Sequence, residues 1–268
     1  MKYMTFKSSC SYCCIANLLE AHGISREDRD IALEMGLPCL FSYDEEEKAY
    51  QAGAMLQGKY WFDRYLGTLG FRFIEVLVPQ KEAERHLREH IPCMIGLKGE
   101  SGKHAMICLG HQEGTYRFLN PHRAGDGEPD ERLFSSDDLQ AALSETNPVG
   151  FIEPTGAVMP MNREDYEDSL RWLSAYQKDV RGFCGQYRTK GEIMAAVNTL
   201  FRPFAVDGLA MIELAGETVV AHELRQFQAE CMTLFRTGDC TPDEVVDMAR
   251  FDRIVRAYEI LIRKKLDQ

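Results

Sequence analysis

Several things are scarce in this chain, and each scarcity excludes a class of function. No lysine or arginine run exceeds the "IRKKL" near the end, and 42 acidic against 31 basic residues leave a formal net charge of −11. The basic stripe that tracks a phosphate backbone is therefore missing, and nucleic acid is excluded as an expected partner. No stretch nears the roughly 18 consecutive apolar residues of a membrane span. The opening "MKYMTFKSSC" lacks the apolar segment of a secretion signal. The expectation is a cytoplasmic chain with no membrane partner. No internal repeat or low-complexity tract occurs, which sets aside solenoids and flexible linkers.

The nine cysteines, at 10, 13, 14, 39, 93, 108, 184, 231 and 240, lack the even count and regular spacing of a secreted disulfide framework. Cys10-x-x-Cys13 could open a zinc site, but a second closely spaced pair is missing, so neither a metal nor another cofactor is expected.

What is present is enough for a folded core: 268 residues, 45% hydrophobic and 27% charged, a length that admits two domains. Ser9 or Cys10 can cap a helix through about His22, with Gly23 as its left-handed stop. "ISREDRDIALEMG" places Ser25 and Asp28 at capping-box spacing and closes on Gly36. The run "DEEEK", 44 to 48, reads as a solvated helix face, and Trp61, Tyr65 and Leu69 recur at i+4 in a helix ending at Gly70. From Phe71 the period becomes two, so "FRFIEVLV" is a strand.

A short charged helix, "KEAERHLREH", then leads into three apolar runs, "CMIGLKG", "HAMICLGHQ" and "TYRFLN". The "ESGK" and "EG" turn signals between them make a small antiparallel meander. "NPHRAGDGEPDER" reads as a polar loop, Ser135 caps a further helix, and "VGFIE" is a last strand.

Two prolines and a glycine in "PTGAVMPMN", 154 to 162, precede a purely helical texture, with amphipathic segments near 163–181, 188–202, 217–236 and 242–265. The expected class is α+β. Residues 1–155 form one domain of N-terminal helices and a small antiparallel sheet, and 163–268 form an all-α domain that can supply a lid, substrate contacts or a homodimer surface.

Three residues in this order can do thiol chemistry. Cys10 starts a helix, where unpaired backbone N–H groups and the positive dipole end favour an anionic sulfur. His104 opens a strand behind a loop and offers a base, with His111 and His122 as competitors. Asn120 ends the next strand, where its amide could orient the imidazole. Cys13 lies on another face of the helix and is the alternative nucleophile; Cys14 reads as core.

At these residues the chain resembles the papain-like cysteine enzymes, in the compact form of bacteriocin leader-processing peptidases. There a catalytic Cys starts a helix closed by glycine about thirteen residues on, as in "CSYCCIANLLEAHG". A His begins a Gly-ended apolar strand, as in "HAMICLGH", and the third residue precedes proline, as Asn120 precedes Pro121. A closer similarity is to the N-terminal domain of butirosin-biosynthesis H-type acyltransferases, through the "NLLEAHGIS" and "MGLPCLFSY" text. Together they cover about residues 8–153.

The resemblance implies a papain-like fold and acyl transfer through a Cys10-bound acyl-enzyme, with His104 and Asn120 completing the machinery. The substrate is a peptide or small-molecule acyl compound, with an acyl carrier protein as donor if an amine accepts. The idle counterpart is a papain-like domain that only binds such a ligand. One departure stands out. The family's oxyanion-hole glutamine, about six residues before the nucleophile, is here Met4, which leaves Lys7, Ser8 or Ser9 as local second donors beside the Cys10 N–H.

Overall fold

The computed structural model describes residues 1–99, 102–123, 129–160 and 162–267. Helices and wholly antiparallel sheets form a mixed fold. It divides into two compact units, Met1–Ile31 with Gln57–Met161 and Ala32–Leu56 with Asn162–Gln268. Among the described residues no helix is long and apolar enough to cross a membrane.

In chain order the elements begin with α1 (Cys10–Ala21) and α2 (Asp28–Met35), followed by strands β1 (Phe41–Asp44) and β2 (Ala49–Ala52). Next come α3 (Lys59–Thr68), β3 (Phe71–Pro79), α4 (Ala83–Glu89), β4 (Cys93–Gly99), β5 (Gly102–Gln112) and β6 (Thr115–Arg123). β7 (Pro129–Ser135), α5 (Ser136–Ala142) and β8 (Thr146–Pro154) complete the first unit. The remainder is helical: α6 (Glu164–Cys184), α7 (Lys190–Asn198), α8 (Arg202–Ala205), α9 (Gly208–Leu214), α10 (Thr218–Arg236) and α11 (Met248–Leu266).

Local chemistry accounts for most boundaries. Gly23 and Gly36 follow α1 and α2 with φ of +79° and +69°, the left-handed geometry that costs glycine least. The Ser135 hydroxyl accepts the Asp138 N–H at 3.2 Å and caps α5. The start of α2 differs from the expected Ser25–Asp28 box. Asp30 accepts the Glu27 N–H at 2.9 Å, Ser25 accepts from Lys2 Nζ, and Asp28 is turned inward and buried.

The first unit is built on a six-stranded sheet of order β3-β8-β4-β5-β6-β7. Its last strand, β8, inserts between β3 and β4, pairing Phe73 with Ile152 on one side and Met94 with Gly150 on the other. The β5–β6 turn has positive φ at Glu113 and Gly114, as a two-residue hairpin of the right twist requires. The other turn signal, "ESGK", falls partly on residues outside the described ones. The polar loop expected at 120–132 also differs. β6 and β7 continue through Asn120↔Asp130 because ladder pairing outweighs the Gly/Pro composition, and residues 124–128 lie outside the described ones.

The two faces of this sheet carry different layers. Cys93, Ile95 and Leu97 of β4 stand opposite Cys108, Met106 and His104 of β5. That face, with Phe118 and Val149, is buried against Leu87 of α4 and Leu139 of α5. Phe71, Phe73, Gly150 and Ile152 alternate to the other face. There α1 packs, crossing β4, β5, β6 and β8. His22 meets Phe71 at 5.1 Å, and Tyr12 reaches Phe73 through edge-on contacts with Phe62.

The second unit buries an aromatic core. Phe204 stacks on Tyr258 at 4.7 Å and meets Tyr176 edge-on at 5.1 Å. The β1–β2 hairpin joins it through Phe41 and Tyr50, each 5.1 Å from Tyr176, so residues 32–56 group with the C-terminal helices although the sequence reading keeps them in the first domain. "DEEEK" is the tip of this hairpin, not a helix face: Asp44 Oδ1 accepts the N–H groups of Glu46 and Glu47 at 2.9 Å, and Lys48 takes φ +50°. An Asx turn of this kind competes with helix for the same backbone donors. The last helix starts at Met248, where Asp247 accepts two backbone N–H groups, later than the expected 242.

Gly150 permits β8 to lie under Phe73, since a Cβ there would collide with that ring. Gly150→Ala is expected to destabilise the protein by about 1–3 kcal/mol through overpacking. Urea unfolding with an unchanged m-value is the check.

Candidate functional site

The site is assembled around the segment that leads into α1. Asp28, 1% exposed, accepts the Thr5 N–H and the Thr5 hydroxyl at 2.6 Å and the Ser9 hydroxyl at 2.5 Å. Ser9 in turn accepts the Phe6 N–H at 3.3 Å. A carboxylate out of water holds its place only when its oxygens are satisfied, and here the donors come from the five residues before Cys10. The loop is thereby set by a residue of α2.

Cys10 is the first residue of α1 and is partly exposed, whereas Cys13 and Cys14 are 0% exposed. Burial, and after it the charge of Asp28, pushes the Cys13 thiol well above the ordinary range; burial does the same to Cys14. Both stay protonated at neutral pH. Of the opening trio, Cys10 alone is open to solvent.

The Cys10 Sγ lies 4.0 Å from the Ser11 hydroxyl, which donates to Gln57 Oε1 at 2.7 Å. The Gln57 amide nitrogen donates to the Ser8 carbonyl, so this one side chain bridges Ser8 and Ser11 across the Ser9–Cys10 step where α1 begins. Gly58 follows with φ +102°, a conformation that swings the chain into α3 and leaves Gln57 facing the start of α1. Sequence reasoning missed this residue because it sought an amide upstream of the cysteine. No local signal marks it.

The sheet presents the other two candidates. His104 stands opposite Leu97 in the β4–β5 ladder and Asn120 opposite Asp130 in the β6–β7 ladder, and alternation from Met106 and from Phe118 gives both the sheet face that carries α4 and α5. Asn120 is buried, and its Nδ2 donates to Asp130 Oδ2 at 2.6 Å. Arg132 holds both oxygens of that carboxylate, at 3.0 and 2.8 Å. The Asp130–Arg132 pair fixes the plane of the amide, a device absent from the sequence reading.

The end of β6 also lies beside the loop before Cys10, through the Met4 N–H to Pro121 carbonyl bond of 3.0 Å. However, strand alternation gives His104 the face of Met106 and Cys108, while α1 packs on the opposite face. Alternation therefore gives His104 and Asn120 one face, and the fold brings Gln57 to Ser8 and Ser11 on either side of Cys10, but the register does not by itself carry the imidazole to the sulfur. Of the competing histidines, His111 lies against Tyr116 at 4.4 Å, and the His122 side chain lies outside the described residues. Compared with protein-family models and with curated proteins, the chain matches none.

Removing the carboxylate that organises the loop has a measurable consequence. Asp28→Ala is expected to cost about 2–4 kcal/mol, because three donors lose a charged acceptor. Amide exchange of residues 5–10 is expected to accelerate more than that of β3 or β8. Uniform acceleration would mean that Asp28 stabilises the unit without shaping the loop.

Proposed function

We propose that the first unit is a papain-like thiol module that transfers acyl groups through Cys10. The observation that carries this reading is the setting of Cys10: a partly exposed cysteine on the first turn of a helix, beside buried and protonated Cys13 and Cys14, with an amide side chain bonded to Ser8 and Ser11 on either side of it. In the proposed step His104, turned by Asn120, takes the thiol proton, and the sulfur attacks a carbonyl carbon. The C–S bond forms as the carbonyl π-bond opens; the tetrahedral intermediate collapses, expels the leaving group with the proton from His104, and leaves a thioester. Water then releases an acid, or an amine takes the acyl group. The donor is a peptide, an amide or a carrier-protein thioester.

The developing oxyanion has two donors from separate parts of the chain, the Cys10 N–H and the Gln57 amide once it releases the Ser8 carbonyl. Gln57 thus takes the part that Met4 cannot.

A second reading has its own support. The same fold can hold a peptide or small molecule without turnover, and the alternation of β5, which gives His104 the face away from α1, favours it.

Alkylation kinetics separate the two. With iodoacetamide near neutral pH, Cys10 is expected to label far faster than the other eight cysteines, and His104→Ala is expected to slow it. Rapid Cys10 labelling that ignores His104→Ala supports ligand binding without His-assisted turnover; slow labelling at every cysteine retires the thiol mechanism. For the acyl-transfer reading, Gln57→Ala is expected to lower kcat by about 10²-fold while Cys10 alkylation stays within about twofold, since an oxyanion donor acts on the transition state and not on the thiol.

A further inference from the structure

A second cluster of donor atoms lies outside the Cys10 site, on the last turn of α4 and the residue that follows it. His86, Glu89 and His90 each direct a ligand atom to one place, and the three atoms lie within 4.8 Å of one another. Their spacing, i, i+3 and i+4, puts all three on one helical face. We infer that they form a binding site for a first-row divalent metal ion of the zinc type, a site independent of the Cys10 reading.

Four observations point to a ligand. The His86 Nδ1 is buried and has no hydrogen-bond partner among the described residues, a position that native structures rarely leave unfilled. It faces Glu89 Oε2 at 4.0 Å. The His90 ring is stacked on Phe151 at 3.9 Å and 6° between planes, so its orientation is set before any ion arrives. The cluster sits at the carboxyl end of α4, where the last carbonyls favour a cation.

The donor set selects the ion. Two imidazoles and a carboxylate suit zinc, nickel or copper, while magnesium and calcium take all-oxygen shells. Bonds of about 2.0–2.1 Å in a tetrahedron put ligand atoms about 3.3–3.5 Å apart, so the observed spacing closes by small side-chain rotations, with a fourth position left for water or an exogenous ligand.

Arg85 both assists and competes. Its guanidinium lies 3.5 Å from Glu89 Oε1, which leaves Oε2 toward His86. Another of its nitrogens is 3.3 Å from His86 Nε2. When the ion takes Nδ1, Nε2 carries the ring proton and Arg85 swings outward.

The test is titration of the full chain with Co2+ and Zn2+. Co2+ is expected to give visible d–d bands without the near-ultraviolet charge transfer of thiolate ligation, which separates this site from the cysteines. Calorimetry with Zn2+ is expected to show binding weakened at least about tenfold in His86→Ala and in His90→Ala, weakened also in Glu89→Gln, and unchanged in His222→Ala. Absence of the d–d bands, or a Zn2+ isotherm that His86→Ala and His90→Ala leave unaltered, would overturn the assignment.

Discussion

A single desolvated carboxylate organises the part of the first unit where α1 begins. Asp28 gives up water and recovers three donors from Thr5 and Ser9, the residues that lead into Cys10. Because the buried carboxylate would otherwise lack partners, its place depends on the loop, as the loop's place depends on it. The same charge adds to the burial that keeps the Cys13 thiol protonated. One group thus ties down the loop ahead of α1 and helps to keep one of the three neighbouring cysteines protonated.

Around that start the fold collects groups from distant parts of the chain. Gln57 arrives after an excursion of the chain through the second unit, and the end of β6 arrives through the Met4–Pro121 backbone bond, with the Asn120 amide before it held by an Asp130–Arg132 pair. Each is positioned by something already rigid: a helix start in one case, a strand ladder in the other. Pairing of β5 with β4 then decides which side of the sheet His104 leaves from, and a period of two admits only two answers. This is why the relation of imidazole to sulfur is the discriminating feature between turnover and binding.

Much of the local structure is legible in the sequence. α1 with its Gly23 stop, β3, the β4–β5–β6 meander, the Ser135 cap and the helical texture beyond residue 163 all follow from periodicity and capping chemistry, which act over a few residues. The misreadings have local rivals. "DEEEK" has helix-forming composition, but Asp44 commits its carboxylate to the turn, and the flanking Phe41 and Tyr50 gain more from an aromatic core than a helix would give them. Ser25 is the better cap on paper, yet the helix starts where Asp28 can turn inward. The candidate site is legible only in part, because Gln57 and the Asp130–Arg132 pair reach it through contacts that no spacing announces.

By itself the sequence determined which segments are helix or strand, where glycines must end them, and which residue types capable of thiol chemistry occur in which order. Tertiary structure alone decided that β8 lies between β3 and β4, that Gln57 bridges Ser8 and Ser11, that His104 and Asn120 alternate to one face of the sheet, and that His86, Glu89 and His90 converge beside a stacked ring. The reason is one of range. Propensity and capping are settled by neighbours in the chain, whereas register, burial and the meeting of side chains are settled by partners tens of residues away, whose choice depends on the whole core closing at once.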